Sequence, residues 1–131
     1  MFKDLETDNV ALPEAGPIIR YTGSDWEALP NILLKEKLAN HILDLSDAGY
    51  LIQMNSSSSN SLIVPPDSSV NFAQGTKIEV LQVGAGETQI VPGSGVSVEY
   101  LDGLKISGQW GLATLIKRSS NNWILSGNLK T

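Results

Sequence analysis

From residue 41 to the C-terminus, apolar and polar residues mostly alternate, which is the pattern of strands with one buried face. In the clearest run, Val96, Val98 and Tyr100 share one face, while Ser97 and Glu99 share the other. Comparable short runs cover residues 42–45, 50–54, 62–64, 77–83, 88–91, 104–107, 112–118 and 123–125. Segments rich in Gly, Pro, Asn and Ser separate these runs. We therefore predict a mainly all-β chain, folded as a compact β-sandwich or a small barrel of short antiparallel strands.

The first 40 residues lack this sustained alternation. Residues 12–17 hold two prolines and a glycine, which disfavour a helix or a central strand, so residues 1–17 are predicted to form an extended arm. Two apolar runs around a Thr-Gly-Ser-Asp turn at residues 22–25 predict a β-hairpin. Leu34 and Leu38 lie four residues apart and predict one short helix after Pro30 or Asn31, with a loop as the alternative. The chain thus divides into an arm with a hairpin, residues 1–40, and a β-body, residues 41–131.

Charge is unevenly distributed along the chain and excludes several classes of partner. The 131 residues carry 14 acidic and 9 basic side chains, a net charge of -5, and no cysteine. All of that net charge falls within residues 1–50, whereas residues 51–131 are neutral overall. An acidic chain lacks the basic patch that binds nucleic acid, and no apolar run approaches the ~20 residues that span a bilayer. We predict that the N-terminal part docks onto a basic partner, with an acidic solubilising surface as the alternative.

The residues that could carry chemistry do not form a catalytic or metal-binding pattern. His41 is the single histidine, and no serine lies in a Gly-x-Ser-x-Gly elbow that could act with it. Asp4, Glu6 and Asp8 have the spacing of the first calcium ligands of an EF-hand, but Asn9 and Ala15 occupy positions that need Gly and Glu. We therefore predict that the chain is not an enzyme and takes no cofactor or metal.

The large aromatic side chains allow one alternative, a platform that stacks on sugar rings. They are scattered through separate predicted elements, namely Trp26, Trp110 and Trp123, with Tyr21, Tyr50 and Tyr100. This scatter favours places in the core or in a subunit interface for each of them.

Several segments of the β-body resemble a module of tailed-bacteriophage virion proteins. They occur in order as DAGYLIQMNSS (47–57), IVPPDSSV (63–70), GTKIEVLQVGAG (75–86), GSGV (93–96), GLKISGQ (103–109), ATLIK (113–117) and NWILSGNL (122–129). Together they span about two thirds of the chain. The segment IRYTGSDW (19–26) is in addition similar to short hairpins of fibre-type phage proteins.

The resemblance implies a non-enzymatic, usually trimeric β-module on the virion surface, in tail fibres or capsid decorations. A fibre carries such a module at the end of a long shaft, for which 131 residues leave no room, so we expect a capsid decoration (cement) protein. Its expected partners are the major capsid protein and two further copies of itself, a homotrimer with an aliphatic axis, without nucleic acid or membrane. The alternative is a tail-fibre or baseplate tip module that binds host surface glycan.

Contacts to the capsid are predicted for the N-terminal part, because its unpatterned apolar residues need partners outside their own segment. The predicted apolar anchors are Phe2, Leu5, Val10, Leu12, Ile18 and Trp26, and the acidic complement is Asp4, Glu6, Asp8 and Glu14. Exposed ion pairs contribute only about 0–1 kcal/mol each, so we expect the apolar anchors to dominate the affinity.

Overall fold

A computed structural model describes residues 19–21, 26–28 and 31–131. The chain divides into two compact units, Met1–Ile32 and Leu33–Thr131. In the first unit, strands β1 (Ile19–Tyr21) and β2 (Trp26–Ala28) pair antiparallel, with Ile19 opposite Ala28. The predicted hairpin is confirmed.

The second unit begins as a solenoid in which successive strands alternate between two sheets. Its strands are β3 (Leu33–Lys37), β4 (His41–Ile42), β5 (Tyr50–Met54), β6 (Asn60–Val64), β7 (Lys77–Gln82) and β8 (Thr88–Pro92). A 3-10 helix, Leu45–Asp47, lies between β4 and β5. Strands β3, β5 and β7 pair parallel in one sheet, and β4, β6 and β8 pair parallel in the other. Each turn of the solenoid thus adds one strand to each sheet.

The C-terminal strands complete both sheets with mostly antiparallel pairing. They are β9 (Ser97–Tyr100), β10 (Lys105–Ile106), β11 (Leu112–Ser119), β12 (Asn122–Gly127) and β13 (Leu129–Lys130). The six-stranded sheet has the order β3-β5-β7-β11-β12-β9, and the five-stranded sheet has the order β13-β10-β8-β6-β4. Strand β9 returns to the edge of the six-stranded sheet and pairs parallel with β12.

One core fills the space between the two sheets. Its fully buried members come from both sheets and include Ile52, Val80 and Leu115 from one, and Leu62 and Ile90 from the other. These positions alternate with outward-facing ones along each strand, as the sequence pattern predicts. The all-β prediction is confirmed.

Polar side chains join successive solenoid turns at one end. The Thr88 hydroxyl donates to the Asn60 side-chain oxygen at 2.7 Å, and the Thr88 amide donates to the Gln82 side chain at 3.1 Å. The loop after β5 lies against the loop after β7, where the Gly86 amide donates to the Ser56 carbonyl at 2.9 Å. The side chains of Asn60, Gln82 and Thr88 are buried, so their hydrogen bonds satisfy polar groups that water cannot reach.

Two expectations from the sequence are corrected. The predicted helix after Pro30 or Asn31 is absent, because residues 33–37 form β3 and pair in register with β5, Leu33 opposite Tyr50. Leu34 and Leu38 are exposed, so their spacing does not mark a buried helical face. The pairing is also not uniformly antiparallel, since strands that return to the same sheet once per solenoid turn run in the same direction.

Candidate functional site

The outer face of the six-stranded sheet carries a row of four side chains whose ends have opposite charge. The register aligns Lys77 of β7 with Ile116 of β11, Ile116 with Ile124 of β12, and Ile124 with Glu99 of β9. We call these four residues the central row. Both isoleucines are 39% exposed, and Lys77 and Glu99 are exposed as well. This adjacent pair of exposed aliphatic side chains between two charges makes the central row a candidate surface for contact with another protein.

A second apolar feature crosses the same face from β3 to β11. It consists of Leu34, Leu51, Leu81 and Leu112, with Leu34 54% exposed and Leu51 and Leu81 half-buried. The register places Leu34 opposite Leu51 and Leu81 opposite Leu112. We call this set the leucine stripe.

A polar row lies between the Leu81–Leu112 pair of the leucine stripe and the central row, and Leu51 lies opposite Glu79 in that same row. Within it, the Thr114 hydroxyl donates to the Glu79 carboxylate at 3.4 Å, and Ser126 lies opposite Thr114. The face therefore has two apolar areas, with a polar strip between them on β7 and β11.

A shallow cleft of about 540 Å³ opens beside the central row. It is lined by Glu99, Tyr100, Leu101, Arg118, Ile124, Leu125 and Ser126. Leu101 protrudes at its rim with 93% of its surface exposed, and Tyr100 is 50% exposed. The cleft thus combines an accessible aromatic ring with aliphatic walls and one charge of each sign.

Asn122 joins the two charged groups of the cleft. Its side-chain oxygen accepts from the Arg118 guanidinium at 3.2 Å, and its side-chain nitrogen donates to the Glu99 carboxylate at 3.0 Å. These three residues come from β11, β12 and β9. Asn122 therefore holds Glu99 in a defined position at the end of the central row.

A buried ion pair supports this end of the sheet from its inner face. The Lys117 ammonium, which is almost fully buried, donates to the Asp67 carboxylate at 2.8 Å and to the Phe72 carbonyl at 2.9 Å. It also lies 5.6 Å from the centre of the Trp123 ring. The hydrogen bond from Lys117 lowers the pKa of Asp67 below its ordinary value, aided by the Asn121 amide and opposed by burial.

A second charged cluster joins the first solenoid turn to the 3-10 helix. The buried Asp47 carboxylate accepts from the Lys35 ammonium at 2.8 Å, contacts His41 Nε2 at 2.8 Å, and accepts from the Asp44 amide at 2.9 Å. Burial is the largest single influence on the pKa of Asp47 and raises it. The bonds from Lys35, the Asp44 amide and His41 together outweigh burial, so the pKa lies below its ordinary value.

Of the ten residues predicted to bind the capsid, Trp26 alone falls within the described ranges. Trp26 begins β2, but its side chain is not described, and the other nine precede residue 19. None of them can be placed relative to the central row.

The other residues considered from sequence have definite places. His41 contacts Asp47, Trp123 is fully buried in the core against Phe72, and Tyr100 lines the cleft. Trp110 is exposed without lining the cleft. Of the proposed sugar platform, only Tyr100 thus faces the cleft among the aromatic side chains that the structure describes.

Sequence reasoning missed the central row, although its alternating strands were predicted. Its four residues come from four strands, and only the register of the sheet brings them into one line. The Asp44–Asp47 spacing, which forms a capping box at the 3-10 helix, was the one local signal for the Asp47 cluster.

No family model matches the chain, and no curated protein matches it. Within the described ranges, no group of three metal-ligating side chains occurs. None of the helices in those ranges is long and apolar enough to cross a membrane.

Proposed function

We propose that this chain is a bacteriophage capsid decoration protein that binds the outer surface of the capsid and stabilises it without catalysis. The observation that carries the proposal is the outer face of the six-stranded sheet. Two exposed apolar areas lie there on a β-body that is held together by strand pairing. The resemblance of the β-body to phage virion modules supplies the biological setting.

Such a protein acts through mass action. A ligand that binds the assembled shell but not its separated subunits favours the assembled state, and the gain grows with occupancy and affinity. The proposed partners are the major capsid protein and further copies of this chain, which form a homotrimer with aliphatic side chains at its axis. Association suits a 131-residue chain without disulfides, because shared apolar surface adds to a modest core.

The proposed division of labour assigns docking to residues 1–40 and assembly to the β-body. Residues 1–40 carry seven acidic and four basic side chains, a net charge of -3, which suits steering towards a basic region of the shell. The apolar anchors around Phe2 and Leu5 would contribute most of the affinity, because exposed ion pairs contribute little.

Deletion of residues 1–17 tests this division. We expect the truncated chain to keep the mass of a trimer in sedimentation and to lose occupancy on purified capsids. A matched variant with Asp4, Glu6, Asp8 and Glu14 changed to their amides should bind capsids more slowly but retain most of the occupancy at saturation. Full occupancy by the truncated chain would instead assign capsid binding to the β-body.

The second candidate is a tail-fibre or baseplate tip module that binds host surface glycan. The cleft favours it, because Tyr100 offers a face for stacking while Arg118 and Glu99 can donate to and accept from sugar hydroxyls. Labelled protein would then bind host cells, and Tyr100→Ala and Arg118→Ala would abolish this binding. Trp110→Ala is the matched control, since Trp110 is exposed but does not line the cleft. Capsid affinity without cell binding would reject this candidate.

A further inference from the structure

The central row has a direction. It begins at Lys77 on β7, continues through Ile116 and Ile124, and ends at Glu99 on β9, so one end is positive and the other negative. Two rows of this kind fit each other when the positive end of one meets the negative end of the next. The row is therefore complementary to a copy of itself, which a random apolar patch is not.

We propose that the central row is the contact between copies of this chain, closed head to tail around a threefold axis that runs along the strands. Lys77 of each copy then lies beside Glu99 of the next copy, and Ile116 and Ile124 of all three copies face the axis. This inference depends on the proposed self-association and adds the residues that perform it.

The dimensions of the four-strand row suit this closure, while β5 and β3 continue each sheet beyond Lys77, outside the triangle. Neighbouring strands lie about 4.8 Å apart, so four strands, with half a spacing added at each end, give a row about 19 Å long. In an equilateral triangle with sides of this length, each sheet lies about 5.5 Å from the centre. This distance is close to half the ~10 Å spacing of packed sheets. Three rows can thus enclose an axis filled by side chains. A head-to-tail contact that closes as a ring is also finite, whereas one that does not close gives an open filament.

The Glu99 end of the row is ordered before this pairing. Asn122 holds the Glu99 carboxylate by a 3.0 Å bond, so one charge is already ordered before association. Beneath the row, the Lys117–Asp67 pair fixes the end of β11, and the Trp123 side chain next to Ile124 is fully buried. An ordered surface loses less conformational entropy when it binds.

Charge exchange tests the proposal on the full chain by sedimentation equilibrium. Wild-type protein should be a trimer. Lys77→Glu or Glu99→Lys alone should each raise the protein concentration at which half of the trimer dissociates by at least about tenfold. The reason is that three attractive charge contacts per ring become repulsive. The double variant Lys77→Glu with Glu99→Lys exchanges the charges and should return to within about threefold of wild type. A folding defect would not be repaired by a second substitution on another strand.

The control is Lys105→Glu, an equal change of charge on the five-stranded sheet, which should leave the trimer intact. A wild-type trimer that neither single variant weakens would overturn the central row as the contact. A monomer would overturn self-association, and a dimer would overturn the threefold closure. Capsid occupancy measured on the same samples distinguishes these failures, since a trimer without affinity for capsids contradicts the proposed function but not the row.

Discussion

At the scale of single residues, Asp47 is a buried carboxylate that joins three segments of the β-sheet unit. Its carboxylate has three partners on different segments, namely Lys35 on β3, His41 on β4 and the Asp44 amide before the 3-10 helix. Lys35 in addition lies 4.5 Å from the centre of the Tyr50 ring. The cluster therefore closes the first turn of the solenoid, where β3 and β4 are the outermost strands of their sheets.

The charges on β3 also protect the edge of the six-stranded sheet from pairing with another sheet. Lys35 and Lys37 share the half-buried positions of β3, where a central strand would carry aliphatic residues. Charges that point inward on an edge strand discourage pairing with the edge of another sheet.

Acid is expected to destabilise the fold through Asp47 and Asp67. Both carboxyl groups have a pKa below the ordinary 3.8, so they contribute stability at neutral pH, and this is lost as the pH falls below about 4 through the lowered values. Asp47→Asn should lower the free energy of unfolding at pH 7 by about 2–3 kcal/mol, because it leaves Lys35 without its carboxylate. It should also reduce the decrease in the free energy of unfolding between pH 7 and pH 2.5. Urea unfolding from pH 7 to pH 2.5 measures both, and an unchanged acid slope in the variant would contradict the role of Asp47.

The sequence indicated this cluster only in part. Residues 46–49 lie between two predicted strand runs, and Asp44 and Asp47 have capping-box spacing. Lys35 is 12 residues away, and only the parallel pairing of β3 with β5 brings it to Asp47. Local patterns cannot show partners that depend on strand register.

At the scale of elements, the loop after β7 stacks closely on the loop after β5, which limits the size of the side chains that the loop after β7 can carry. A Cβ at Gly86 would overlap the Ser58 carbonyl group, which belongs to the backbone of the loop after β5. Gly95 differs, because its φ of +79° favours glycine but no atom lies within 4 Å of a Cβ placed there.

These two glycines give a matched pair of substitutions. Gly86→Ala should lower the free energy of unfolding by about 3 kcal/mol, because two backbone segments must move apart. Gly95→Ala should cost only about 1–2 kcal/mol, the strain of a left-handed conformation. Thermal or urea unfolding of both variants provides the comparison. Equal losses would show that the loops after β5 and β7 are not stacked as described.

The sequence pattern predicted most strands correctly but predicted a helix where β3 lies. The predicted runs at residues 50–54, 62–64, 77–83 and 88–91 agree with β5 to β8 to within two residues at their ends. They succeed because alternation follows directly from one buried face. The prediction failed at β3, where the inward residues Lys35 and Lys37 are charged and the outward Leu34 is apolar, so the local pattern is reversed.

At the scale of the whole molecule, the connectivity of the strands was the main feature that the sequence did not predict. Short strands separated by turns are expected for a sandwich, a barrel or a solenoid alike. Which strands become neighbours depends on whether the chain returns to the same sheet immediately or after one strand in the other sheet. Here it alternates from β3 to β8, which yields parallel pairs without any helical crossover.

This connectivity also creates the surface on which the proposed assembly depends. The C-terminal hairpin of β11 and β12 packs beside β7, and β9 then adds to β12, so strands from three separate segments of the sequence align the central row. The isoleucines of the row appear in the sequence as ordinary outward positions of strands.

The most direct measurement of the central claim is the heat resistance of capsids with and without this chain. Particles produced without it should release their contents at a lower temperature, and added purified protein should restore the original resistance at saturating occupancy, because binding favours the assembled shell. The Lys77→Glu variant should restore less at equal concentration, and the charge-exchanged double variant should restore it as wild type does. Particles equally heat-resistant without the chain, together with no binding of the purified protein to capsids, would contradict the account.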